Sequence, residues 1–172
     1  LHAHLLAEQP DQVPTLHRRA SAWYADNGLP AAAIRHALAG ADFERAADLV
    51  ERALPEMLRT RQESLLLGWL KALPEELLRR RPVLGIHYIG VLLSVGELES
   101  VETRLRDAER RLPAEGNAAP LDDRLHSVES RPPAALVIVD EAEFRRLPAW
   151  VAIFHAGYAL VRGDAPSTVK HA

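Results

Sequence analysis

Apolar side chains recur at helical spacing from the start of the chain. Positions i, i+4, i+7 and i+8 of the first segment carry Leu16, Ala20, Trp23 and Tyr24, which is the stripe expected of one buried helix face. Gly28 follows this stripe, and glycine readily adopts the left-handed conformation that ends many helices. The pattern therefore predicts a helix over residues 12–27 with its apolar stripe in the core.

Further helices are predicted where glycine, proline or an acidic residue separates periodic segments. Pro30 stands in the first turn of the second helix, where its missing N–H does no harm, and Asp42 caps the third. The later periodic segments are residues 64–73, 74–80, 82–95, 97–112 and 147–161, and a last helix starts near Ala165. Strong helix formers dominate all of them, so we predict an all-α fold.

One region interrupts the series of predicted helices. Residues 113–143 contain Pro113, Gly116, Pro120, Pro132 and Pro133, and then a strand-like run that begins at Leu136. An irregular stretch of this length is unusual in a compact domain. We therefore predict an insertion or loop over residues 113–146, between helical regions at 11–112 and 147–172.

Three turns share one pattern of small and acidic residues. A small residue ends one helix and an acidic residue opens the next at Ala41 and Asp42, at Gly96 and Glu97, and at Gly163 and Asp164. Aligning the turns makes Ala46, Val101 and Thr168 equivalent, at a point where two helices approach closely. This pattern resembles the tetratricopeptide repeat, whose period is about 34 residues, although the intervals here are irregular. A non-repetitive bundle with coincidental turns is the alternative.

A single helical hairpin cannot bury both of its faces, so neighbouring hairpins stack into an array with a concave binding surface. We therefore predict antiparallel hairpins stacked as a tetratricopeptide-like superhelix, an α-solenoid. The residues predicted to pack these hairpins are Trp23, Tyr24, Ala46, Val50, Trp69, Gly96, Val101, Leu105 and Gly163.

Composition excludes several classes of function. The formal net charge is −3 and aromatic residues make up 5% of the chain, so neither a basic phosphate-binding surface nor a base-stacking platform is expected. The chain has no cysteine, which excludes disulfides and thiolate metal sites and indicates a cytoplasmic protein. The most apolar stretch, residues 83–95, is shorter than the roughly 20 residues of a membrane span.

Candidate chemistry is weak. Nucleotide-binding glycine motifs and a zinc-binding His-Glu-x-x-His motif are both missing from the sequence, and His2 and His4 alone do not make a metal site. His36, His87 and His155 stand on the first helices of the three pairs. A ligand-lining or pH-sensing row is one interpretation, and ordinary half-buried histidines at helix seams are the one we favour.

An acidic cluster lies near the end of the irregular region. Asp140, Glu141 and Glu143 stand close to Arg145 and Arg146. A catalytic pair of carboxylates would need burial to separate their two pKa values. We instead expect a solvated cap on the following helix, and we predict no catalytic, cofactor or metal residues in this chain.

Three stretches taken together resemble a known family. They are LHRRASAWYADNGLPAAAIRHALAGADFERAADLVE at residues 16–51, WLKALPEELL at 69–78 and VDEAEFRRLPA at 139–149. They look like the large LuxR-type transcription regulators related to the maltose activator MalT. The resemblance implies a parent protein with an ATPase module of the STAND class, a winged-helix region, a tetratricopeptide-like superhelix and a DNA-binding helix-turn-helix domain.

On that resemblance, residues 1–10 are the end of the winged-helix region and the remainder opens the superhelix. The ATP site and the DNA-reading helix would lie outside this chain, and no functional residue can be carried over. The chain starts without Met and stops where a predicted helix has barely begun, so we expect a fragment.

The leading hypothesis is a regulatory segment that binds a small-molecule inducer or a protein and couples this binding to self-association of the parent regulator. It would bind neither nucleic acid nor a membrane by itself. The alternatives are a free-standing helical-repeat scaffold or adaptor unrelated to transcription, and an enzyme that uses the acidic cluster.

Overall fold

A computed structural model of the chain describes residues 12–111 and 136–163. Predictions for other residues lie outside this part of the chain. They concern His2, His4, Asp164, Thr168, the last helix near Ala165 and most of the predicted loop.

The described residues are helical and contain no strand, as the sequence predicted. The helices are α1 (Val13–Asp26), α2 (Pro30–Ala39), α3 (Phe43–Arg59), α4 (Glu63–Ala72), α5 (Glu75–Arg80), α6 (Pro82–Val95), α7 (Val101–Arg111) and α8 (Glu141–Arg162). None of these described helices is both long and apolar enough to cross a membrane.

Short turns connect the consecutive helices from α1 to α7, and the chain divides into two compact units between Leu78 and Arg79. In the first unit α1 packs on α2, α2 packs on α3, and α4 contacts both α2 and α3. In the second unit α6, α7 and α8 all pack on one another. Each unit therefore buries its apolar stripes between helices, which is consistent with an all-α helical-repeat fold.

The three predicted turns share one backbone geometry. Their small residues adopt positive φ, with 51° at Ala41, 78° at Gly96 and 73° at Gly163. At the two turns whose next residue is described, that residue closes the turn onto a carbonyl five positions earlier, from Asp42 N to Ala37 O and from Glu97 N to Leu92 O, both at 2.9 Å. This is the Schellman ending of a helix.

The same ending occurs at two more turns. Gly28 has φ 71° and Arg61 has φ 57°, and each is followed by the same closing bond, from Leu29 to the carbonyl of Tyr24 and from Gln62 to that of Met57. The turn at Arg61 was not predicted, because its sequence offers neither glycine nor asparagine.

Most of the predicted packing residues lie inside. Ala46, Val50, Val101 and Leu105 are fully buried, and Trp69 is nearly so. Ala46 and Val101, which the alignment of turns made equivalent, thus share the same environment. Asp42 caps α3 as predicted, because its Oδ1 accepts a hydrogen bond from Arg45 N at 3.4 Å.

The prediction for Trp23 was wrong. Its side chain is 58% exposed and Leu16, in the same predicted stripe, is also exposed. The face of α1 that packs on α2 carries His17, Ser21 and Tyr24, so Tyr24 alone of the large residues in the predicted stripe lies on this face, and Ser21 is fully buried. Because successive helix residues are about 100° apart, a shift of one position turns Leu16 and Trp23 away from the seam.

Two predicted helix starts were also wrong. The segment predicted to begin at residue 97 becomes helical at Val101, and α8 begins at Glu141 rather than at residue 147. Pro148 lies inside α8. The strand-like residues 136–139 form no strand; Val137 N instead donates to Arg80 O at 2.8 Å.

Candidate binding surfaces and buried polar clusters

A buried polar cluster joins α6 to α8 in the second unit. Glu143 Oε1 accepts two hydrogen bonds, one from His87 Nε2 at 3.1 Å and one from Trp150 Nε1 at 2.9 Å. Asp140 caps α8 and accepts a bond from Glu143 N at 3.0 Å, which fixes the first turn that carries this carboxylate. The predicted cap is confirmed, but Glu143 faces the interior rather than solvent.

Burial sets the charge state of His87. It lowers the pKa of this imidazole from the ordinary value of 6.5, while the hydrogen bond and the charge of Glu143 raise it by less. His87 is therefore neutral near pH 7 and donates through Nε2. The indole N–H of Trp150 also needs a polar partner when it is half-buried, so Glu143 satisfies two donors on two helices.

Aromatic rings extend this cluster along the seam. Trp150 and Phe154 stack with ring centroids 5.7 Å apart. A Cβ placed on Gly90 would lie 2.5 Å from Cζ of Phe154. Glycine at this position of α6 therefore lets the Phe154 ring of α8 lie directly against the backbone.

The other acidic and basic side chains near the start of α8 form exposed ion pairs. Arg145 NH2 lies 3.3 Å from Glu141 Oε2, and both side chains are mostly exposed. Arg146 lies 3.5 Å from the second oxygen of Glu143. Exposed pairs of this kind contribute little to stability, and the arrangement offers no buried pair of carboxylates for acid–base chemistry.

A second cluster lies at the α1–α2 seam of the first unit. His17 Nδ1 and His36 Nδ1 are 2.9 Å apart, and the ring of Tyr24 stacks on that of His36 with an interplanar angle of 7°. Beside it, Arg45 Nε of α3 donates to the hydroxyl of Ser21 at 3.0 Å. Burial, the largest effect, and the positive charges of His17 and Arg35 lower the pKa of His36.

The three predicted helix-seam histidines each contact another helix. His36 meets His17 of α1, and His87 meets Glu143 of α8. His155 Nε2 lies 2.9 Å from Glu109 Oε1 of α7. These contacts favour the interpretation as structural seam residues over a ligand-lining row. Within residues 12–111 and 136–163, no group of three His, Asp or Glu side chains is placed to hold a metal ion.

Outside the seams, α8 presents an apolar face. Ile153 is 54% exposed, Leu160 69% and Val161 59%. Ile153 and Leu160 are seven residues apart and so share one side of the helix, while Leu147, Val151 and Ala159 are buried. Contiguous exposed apolar surface is typical of protein–protein contact sites.

In the first unit, Leu16 and Trp23 form a corresponding exposed pair on α1. They too are seven residues apart and share one side of their helix. Large aromatic side chains are enriched at binding hot spots. The residue that sequence reasoning assigned to the core is thus part of a candidate contact surface.

Comparison with known proteins finds similarity to short parts of much longer proteins. The serine/threonine-protein kinase PknK of Mycobacterium tuberculosis is 38% identical over 116 residues, which cover 63% of this chain and 10% of the kinase. The HTH-type transcriptional regulator MalT of Cronobacter sakazakii is 31% identical over 119 residues, which cover 69% of this chain and 13% of that protein. The aligned region thus spans about a tenth of the length of these curated relatives.

No protein-family model matches the chain. No solved structure matches it either.

Proposed function

We propose that this chain is a regulatory helical-repeat segment of a larger signalling protein, and that it binds a ligand or a protein rather than catalysing a reaction. The observation that carries this proposal is its similarity to both a protein kinase and a DNA-binding transcription regulator. These two relatives act through different outputs. A segment that they share is best suited to a step that precedes the output, such as recognition of a signal.

The structure of the segment suits this role. Helical hairpins present long surfaces, and α8 and α1 each leave an apolar face exposed. The finer proposal is a segment of a MalT-like, LuxR-type regulator that couples binding of an inducer to ATP-dependent self-association. Such coupling requires the bound molecule to prefer one of two arrangements of the parent protein. We further propose a cytoplasmic location, which fits a chain without cysteine.

The coding sequence on both sides of the segment tests this proposal directly. A nucleotide-binding module and either a helix-turn-helix or a kinase module should be encoded in the same reading frame. A reading frame without any output module would contradict the regulator and favour the free-standing scaffold.

The isolated chain provides a second test. It should neither hydrolyse ATP nor retard a DNA fragment in a gel, whereas the full-length protein should do at least one of these. Hydrolysis by the isolated chain would contradict a purely binding role.

The role of the apolar face of α8 can be tested in the full-length protein. Ile153→Asp combined with Leu160→Asp should shift the protein toward smaller species in sedimentation velocity with ATP, since both substitutions charge this face. Arg145→Ser is the matched control, because it changes an exposed side chain on the same helix. A folded double variant that still associates like the wild type would exclude this face from self-association.

A further inference from the structure

The two imidazoles at the α1–α2 seam meet end to end. The His17 and His36 ring centroids are 5.1 Å apart, while their Nδ1 atoms are 2.9 Å apart. The difference is about the sum of the two centroid-to-nitrogen distances, so the nitrogens point at each other along one line. This is hydrogen-bond geometry, whereas nitrogens that chelate one metal ion would both point to a third position.

Such a contact holds one proton between the two nitrogens. In the neutral pair one imidazole donates its Nδ1–H and the other accepts at a bare Nδ1. Addition of one proton keeps this arrangement, because an imidazolium can donate to the remaining neutral ring. Addition of a second proton places two N–H groups face to face, which a 2.9 Å contact cannot accommodate.

The surroundings keep the two rings in contact. The Tyr24 ring covers one face of His36 at a centroid distance of 5.2 Å. A Cβ on Gly40 would lie 3.0 Å from Cβ of His17, so the end of α2 sits close against α1. Separation of the two rings therefore requires His36 to leave its stack with Tyr24 or the two helices to move apart.

Cations predominate in the described contacts around the pair. Arg35 on α2 acts electrostatically on His36, and Arg18 on α1 donates to Thr15. From α3, Arg45 binds Ser21 one turn from His17. Three acidic groups at or on α3 and α4 have described partners other than the histidines: Asp42 binds the backbone N–H of Arg45, Glu56 binds Arg59 and Glu63 lies near Arg61.

We propose that the His17–His36 contact is an acid-sensitive latch on the α1–α2 hairpin, closed while the pair shares one proton and open when both rings are protonated. Opening separates the seam in the first unit and would alter the α1 surface that carries Trp23. The latch makes the conformation of this segment depend on pH, independently of the ligand that the segment binds.

The pH window follows from the direction of the shift at His36. Its pKa in the folded chain lies below the ordinary value of 6.5, mainly because of burial. The unfolded or opened hairpin therefore takes up protons first as pH falls. The contribution of the latch to stability is present above about pH 6.5 and is lost progressively below it.

Hydrogen exchange of the whole chain at about pH 7.5 and about pH 5.5, corrected for the intrinsic pH dependence of amide exchange, tests the latch on both sides of this window. In the wild type, amides of α1 and α2 should exchange faster at the lower pH by about five-fold, the change that loss of one ordinary hydrogen bond corresponds to. Amides of α4, a helix without histidine, serve as the internal reference.

Two variants of His17 distinguish the effect of protonating the pair from the effect of losing the His17 side chain. Asn places an amide close to the position of Nδ1 and can donate or accept without titrating, so His17→Asn should exchange slowly at both pH values. His17→Ala cannot form the contact and should exchange fast at both. Acid acceleration that persists in His17→Asn, or is missing from the wild type, would overturn the proposal.

Discussion

Ala41 occupies a backbone conformation that normally belongs to glycine. Its φ is 51°, and the left-handed region costs an L-residue roughly 1–2 kcal/mol. Glycine avoids this cost but loses about 0.5–1 kcal/mol more conformational entropy on folding. Ala41 is exposed, so its methyl group contributes no packing. We therefore expect Ala41→Gly to stabilise the chain by about 0.5–1 kcal/mol.

Urea unfolding followed by far-UV circular dichroism measures this effect. The midpoint should rise while the slope of the free energy against urea stays unchanged, because the same surface is exposed on unfolding. Ala39→Gly is the matched control. Ala39 is also exposed but is the last helical residue of α2, so its replacement should destabilise by up to about 1 kcal/mol.

Arg61→Gly should act in the same direction as Ala41→Gly, because Arg61 has φ 57°. Its guanidinium lies 3.7 Å from Glu63 and is 87% exposed, so the lost ion pair matters little. If Ala41→Gly and Arg61→Gly both destabilise the chain as much as Ala39→Gly does, the left-handed conformation at these two turns is refuted.

Other substitutions probe the seams. Ala46→Trp should destabilise by about 1–3 kcal/mol or more in thermal melting, since the position is fully buried; an unchanged melting temperature would mean that this site is open. Gly90→Ala should destabilise by about 1–3 kcal/mol, because its Cβ would clash with Phe154. The control is Gly68→Ala on α4, where the added Cβ meets open space and should stabilise by up to about 1 kcal/mol. Equal effects of the two substitutions would exclude the close contact between Gly90 and Phe154. Burial lowers the pKa of His87, so its contribution to stability is present above about pH 6.5 and lost below it. In His87→Gln, which keeps a donor but does not titrate, the urea midpoint should fall less between about pH 7.5 and about pH 5.5, and an equal fall would contradict this assignment.

Local signals predicted the helices and most of their turns. Glycine at Gly28, Gly96 and Gly163, and the acidic cap at Asp42, specify backbone conformations through a few neighbouring atoms. The turn at Arg61 has no such signal. It forms because the helices on both sides pack, and that packing outweighs the unfavourable φ.

The orientation of α1 shows a second limit of prediction from sequence. The predicted stripe runs through Leu16, Ala20, Trp23 and Tyr24, and a second stripe that fits the helical period runs through His17, Ser21 and Tyr24. Hydrophobicity favoured the first stripe. The structure turns the second stripe toward the neighbouring helices, where His17 contacts His36 of α2 and Ser21 accepts a hydrogen bond from Arg45 of α3.

The cluster around Glu143 could not be predicted from the sequence. His87 and Glu143 are 56 positions apart, and the intervening region carries no periodic pattern that fixes how α8 returns to α6. The sequence therefore predicted that Glu143 belongs to an exposed acidic cap. Only the packing of the two helices shows that its carboxylate is turned inward.

The repeated helix–turn–helix geometry is tested most directly by backbone torsion angles derived from NMR chemical shifts of the chain in solution. Positive φ is expected at Ala41 and Arg61, as well as at Gly28, Gly96 and Gly163, with helical shifts on both sides of each turn. Negative φ at the two non-glycine positions, or extended shifts within α1–α4, would contradict the stacking of helical hairpins.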